Sequence, residues 1–158
     1  PTLYRFGRGL ALAAVLALAG VPALAHTYVL ALGPSATANS YFGVICSNDA
    51  GTDSDHLFMQ IQSHTANGPL VSAQIVKVGA LLDVTTSSSV AASITDPIGG
   101  DAVPSPAMRV RGGNGMYQVL TNKTGAGAVS FTVTVHCLDA SGTVHTGTDA
   151  VVYQYQDR

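Results

Sequence analysis

The chain has 158 residues, 10% of them charged, with seven Lys and Arg against nine Asp and Glu, a formal net charge of −2. So sparse and slightly acidic a balance excludes the basic surface that nucleic acid or an anionic membrane requires. Every acidic residue is aspartate, and the absence of glutamate beside abundant Val, Thr, Ser and Gly tilts the chain toward strands and turns.

The first element is a targeting segment. Arg5 and Arg8 precede an apolar stretch over residues 10–18, Gly20 and Pro22 interrupt it, and Ala23, Leu24 and Ala25 supply the small residues of a signal-peptidase site. The pattern predicts a helical secretory signal peptide over residues 1–25, too short to span a bilayer, which needs about 20 apolar residues. The remaining residues, 26–158, suffice for a single hydrophobic core. Cleavage removes Arg5 and Arg8 and leaves five basic residues against nine aspartates, a formal charge of −4, with no membrane segment after processing. The expected location is the periplasm or the extracellular space. There the two cysteines, Cys46 and Cys137, are expected to form a disulfide.

From residue 26 onward the apolar residues come in short runs separated by Gly, Pro, Asn, Asp and Ser clusters. Strands are predicted over residues 27–32, 40–47, 57–62, 69–78, 80–86, 90–95, 107–111, 115–121, 128–138 and 143–155. Short strands at this spacing predict an all-β antiparallel sandwich in one domain, and no stretch after residue 25 has a helical period. In "AVSFTVTVHC", Phe131, Val133, Val135 and Cys137 alternate with Thr132, Thr134 and His136. The odd positions are expected to face the core and His136 to point away from it. With Cys46 ending "SYFGVIC", the disulfide would tie an early strand to a late one. That placement resembles the inter-sheet bridge of immunoglobulin-like sandwiches, although the tryptophan packed against that bridge is absent.

Cleavage after Ala25 would make His26 an N-terminal residue with a free α-amino group beside its imidazole. An N-terminal histidine binding through both groups, completed by a second histidine, is the copper arrangement called a histidine brace. In that feature and its β-rich body the chain resembles secreted copper sandwiches, the lytic polysaccharide monooxygenases and the periplasmic CopC-like carriers. No flanking motif of either family carries over. Amine and imidazole nitrogens suit Cu(II), which tops the divalent affinity series. The expected ligands are His26 with His136 or His145, which flank the turn "DASG" at residues 139–142. A two-residue loop would set His136 directly opposite His145, whereas a type I turn with Gly142 in a left-handed bulge would offset them by one. Turn chemistry favours the bulge, and a core-facing Val144 favours the direct pair, so the register stays open.

Other motifs carry less. Asp49, Asp53 and Asp55 precede His56 in a Gly/Ser-rich loop but lack the closing bidentate glutamate of a calcium loop, which favours a solvated turn. "GGNGMY", residues 112–117, leads into a strand and reads as a turn rather than a phosphate loop. No nucleophile elbow is present and no catalytic residue can be named. A copper oxidase acting on polysaccharide would need a flat aromatic face, for which a chain without tryptophan offers little. The expected partner is a copper ion. The alternative is a structural or protein-interaction module of the cell surface, pairing or self-associating through a sheet edge, for which the alternating tail "DAVVYQYQDR" is suited.

Overall fold

The computed structural model describes residues 26–49, 51–79 and 91–151. The signal peptide predicted for residues 1–25, the strand predicted for 80–86 and the tail beyond residue 151 lie outside them. The described residues contain strands and no helix: β1 His26–Leu32, β2 Ser40–Ser47, β3 His56–Ser63, β4 Val71–Lys77, β5 Ala91–Thr95, β6 Met108–Arg111, β7 Gly115–Lys123, β8 Val129–Leu138 and β9 Gly147–Val151. They form two antiparallel sheets, ordered β1-β8-β3-β6 and β5-β4-β7-β2-β9.

Period-two patterning explains why these segments are strands. On β8, Phe131, Val133, Val135 and Cys137 are buried while the residues between them are half-buried on the outer face. β2 buries Phe42, Val44 and Cys46, and β3 buries Leu57, Met59 and Ile61. β4 contributes Val71, Ala73 and Ile75, and β7 contributes Tyr117 and Val119. All join one apolar cluster shared by the two sheets, a sandwich-like arrangement. Cys46 of the second sheet and Cys137 of the first are bonded across it, Cα to Cα 5.5 Å.

Two inward-facing lysines finish the ends of this core. Lys77, at the end of β4, runs over the Tyr117 ring (4.2 Å) and donates to the carbonyl of Asn114 at 2.5 Å. Lys123, at the end of β7, donates to the carbonyls of Gly33 and Gly127. Each buries its aliphatic stem and satisfies loop carbonyls with its ammonium. Burial pushes the Lys77 ammonium pKa down from its ordinary value. It pushes the Tyr117 phenol up to about 12, with the Asp55 charge adding to the effect.

The predicted strand over residues 143–155 is corrected. The chain from Leu138 to Thr146 is a turn closed by the Asp139 amide on the Val144 carbonyl (3.0 Å) and the Thr146 amide on the Cys137 carbonyl (2.9 Å). Only at Gly147 does the strand begin, and it pairs with β2 in the other sheet. Gly147 is where the chain crosses between sheets, and a Cβ there would stand 1.9 Å from Ser47 Oγ and 2.8 Å from Asp49 Oδ2.

Candidate metal centre

The outer face of the first sheet is set by the register of its four strands. Phe58 on β3 lies opposite His136 on β8, and Arg109 on β6 lies opposite Phe58. One pair further along, His56 lies opposite both Leu138 and Arg111. These outward positions form two adjacent rows across the sheet. The turn between β8 and β9 brings His145 to their edge.

Neither expected register occurs. His145 bridges Leu138, so His136 and His145 are offset by two residues instead of facing directly or by one. Gly142 does take the left-handed conformation (φ 72°), and its amide donates to the Asp139 carbonyl at 3.0 Å. Val144, which would face the core in the direct pair, is 46% exposed, and Thr146 is buried in its place. The buried Thr146 hydroxyl is satisfied by Ser54 Oγ at 2.5 Å, which a valine could not match.

The offset nonetheless brings the two imidazoles together. Opposed residues on an antiparallel pair share a face, and so do residues two apart on one strand, so His145 and His136 become diagonal neighbours. Their ring centroids are 4.5 Å apart with planes at 85°, an edge-to-face contact. His136 also meets the Phe58 ring at 5.5 Å, and the Arg109 guanidinium lies 5.1 Å over that same ring. His136 Nδ1 is buried without a hydrogen-bond partner. Burial is the main cause that lowers the His136 pKa from its ordinary value, followed by repulsion from His145 and then from His26. A neutral imidazole with an unsatisfied nitrogen is the state a metal ligand requires.

His26 opens β1 opposite Val135, the residue beside His136. Its side chain is exposed and by strand parity belongs to the inner side of the sheet. Its backbone nitrogen lies on the side of the residue that leads toward His136's position in the register. The structure therefore gathers His136 and His145 in ring contact and sets His26 close by. Among the described residues no group of three His, Cys, Asp or Glu side chains is placed to hold a metal ion.

The remaining sequence candidates do not join this group. Asp49 accepts from Ser47 (2.7 Å), Asp53 accepts from the Asn114 amide (2.7 Å), and Asp55 is shared by His56 Nδ1 (2.9 Å) and Arg111. These carboxylates are engaged by separate donors and do not converge on a cation. Apart from those candidates, His64 meets Thr132 Oγ1 at 2.5 Å on a different part of β8. The Asp55 carboxylate fixes the His56 proton on Nδ1, leaving Nε2 buried and without a partner. The turn packs over this ring: a Cβ on Gly142 would stand 3.7 Å from His56 Cε1. Sequence reasoning placed His56 in a polar loop and missed Phe58, Arg109 and Arg111 altogether. The alternation of "MRVR", residues 108–111, was the available signal for the two arginines.

No protein-family model matches this chain, and no curated protein matches it.

Proposed function

We propose that this protein is an exported immunoglobulin-like sandwich that holds one copper ion, for carriage or storage, through the amine and imidazole of His26 together with His136 and His145. The observation that carries the reading is the edge-to-face contact of His136 and His145 beside the first residue of β1. The leader-like pattern ending at Ala25 and the disulfide between β2 and β8 support export to the periplasm or the extracellular space. The same bridge, joining an early strand of one sheet to a late strand of the other, supports the immunoglobulin-like comparison.

The donor set fits copper. A brace takes two nitrogens from a single residue, so one further imidazole completes it, and His136 and His145 stand as neighbours. In the uncut chain the His26 nitrogen is an amide bonded to Ala25 and donates nothing to a metal. Cleavage turns it into an amine at the end of β1, on the side of His136. The low His136 pKa keeps that ligand unprotonated at neutral pH. The ion is cargo on this reading, and the chain supplies neutral nitrogens without a carboxylate.

The test is a Cu(II) titration of protein beginning at His26, compared with protein carrying one additional alanine before it. The expected result is one tight site in the first, with nitrogen couplings in the copper spectrum, and its loss in the second. Equal affinity in both would overturn the brace. A second reading, a surface interaction module, is favoured by the outer face of the second sheet. There Ile45 lies opposite Met116 and Leu120 opposite Tyr41, with Ile45, Met116 and Leu120 all exposed. It predicts concentration-dependent association in light scattering, and a strict monomer across that series argues against it.

A further inference from the structure

We infer that the copper site is loaded from anionic copper complexes, in which the ion is carried by a carboxylate chelator, and that Arg109 is the residue that draws them in. The inference rests on the copper reading above and deepens it. Four Lys and Arg side chains lie among the described residues, and their positions are unequal. Lys77 and Lys123 are buried against loop carbonyls at the two ends of the core. Arg109 and Arg111 are exposed, both on β6 and both on the outer face that carries His136. In a chain whose predicted mature form is acidic, the exposed arginines among the described residues thus fall on the one face where the histidines meet.

The two arginines are not equivalent. Arg111 is paired with Asp55, which offsets its charge. Among the described residues Arg109 has no carboxylate within ion-pair distance and lies instead over Phe58. Asp139, on the turn near His145, keeps its negative charge while one oxygen, Oδ1, accepts from Ser141 Oγ and from the Gly142 and Val144 amides. The row therefore runs from an uncompensated guanidinium, over an aromatic ring, to two imidazoles. Two ring contacts, of 5.1 and 5.5 Å, separate the guanidinium from His136.

At a separation of about 10 Å in water, one positive charge raises the local concentration of a monoanion about twofold and of a dianion about fourfold. With a Debye length of about 8 Å at physiological salt, the dianion effect falls to about 1.5-fold. The contribution is to rate and donor selectivity, with little effect on the final affinity.

The experiment is stopped-flow loading of protein beginning at His26, with Cu(II)–citrate as the anionic donor and Cu(II)–bis(glycinate) as the neutral one, at about 10 and 150 mM ionic strength. Arg109→Gln is expected to slow loading from citrate two- to fourfold at low salt and much less at high salt. Loading from glycinate and the final affinity should stay unchanged, and Arg109→Lys should restore the citrate rate. Equal slowing from both donors, or no slowing from citrate, would overturn the inference while leaving the copper site standing. Failure of the unsubstituted protein to take copper from either donor would overturn both.

Discussion

Opening the Cys46–Cys137 bridge should cost this domain a large part of its stability, and the structure sets the scale. The bond joins β8 of one sheet to β2 of the other across a sequence separation of 91 residues. Both cysteines are buried in the shared core. Reduction leaves the two sulfurs in place as buried thiols, so packing changes little and the main loss is the constraint on the unfolded chain. Loop-closure entropy for a ring of this size corresponds to about 4.6 kcal/mol at 25 °C. Domains of this kind are stable by about 5–15 kcal/mol, so the loss is a third or more of the total. With a urea m-value of about 1.5–2 kcal/mol/M, the unfolding midpoint should fall by about 2–3 M. The assay is equilibrium urea unfolding of oxidised protein, of protein under reductant, and of the Cys46→Ala/Cys137→Ala variant. The m-value should rise on reduction, because an unbridged chain exposes more surface when unfolded. A midpoint change below about 0.5 M at constant m would refute the loop-closure argument.

Gly147→Ala should destabilise the protein by about 1–3 kcal/mol in the same assay, because its Cβ would overlap Ser47 Oγ and press on Asp49 at the crossing between sheets. Adding Ser47→Gly should recover part of that loss, and no loss in the single variant would contradict the packing at the crossing. His136 gives a pH signature. Its folded pKa lies below its unfolded value, so the unfolded chain binds the proton first on acidification. Stability should therefore fall as pH drops from about 6.5 toward the folded pKa, then level off. His136→Gln should flatten that slope. His145→Ala should bring the His136 imidazole back toward its ordinary value in an NMR titration, and an unmoved resonance would mean the two rings do not interact.

Where one physical rule decides a feature, the sequence carries it. β8 is legible because its inward positions are uniformly apolar and its outward ones are Ser, Thr or His, and the fold buries Phe131, Val133, Val135 and Cys137 accordingly. The disulfide follows from having two cysteines, each closing the inward set of its strand. Of the turn read at residues 112–117, residues 112–114 are found as one, with Gly113 at positive φ, and Gly115, also at positive φ, already opens β7. His56 is not readable in this way. A residue at the edge of an aspartate-rich loop is buried where the distant turn at Gly142 comes against its ring, and no local pattern announces that contact.

The candidate site depends most on the feature that local chemistry decides least. Turn rules applied to "DASG" weigh a direct pairing of His136 with His145, which would bury Val144, against an offset of one, which would not. What selects the observed offset of two is tertiary. The strand must leave β8 and join β2, and Gly147 is the residue that fits against Ser47 and Asp49 at that crossing. Counting back from Gly147 places Thr146 inside, where Ser54 satisfies its hydroxyl, and His145 outside, beside His136. The contact between the two imidazoles is thus a consequence of where the chain changes sheets. On the copper reading, loosening the crossing with Gly147→Ala should weaken Cu(II) binding in protein that is still folded. Unchanged copper affinity in folded Gly147→Ala protein would break that link and separate the histidine pair from the crossing that positions it.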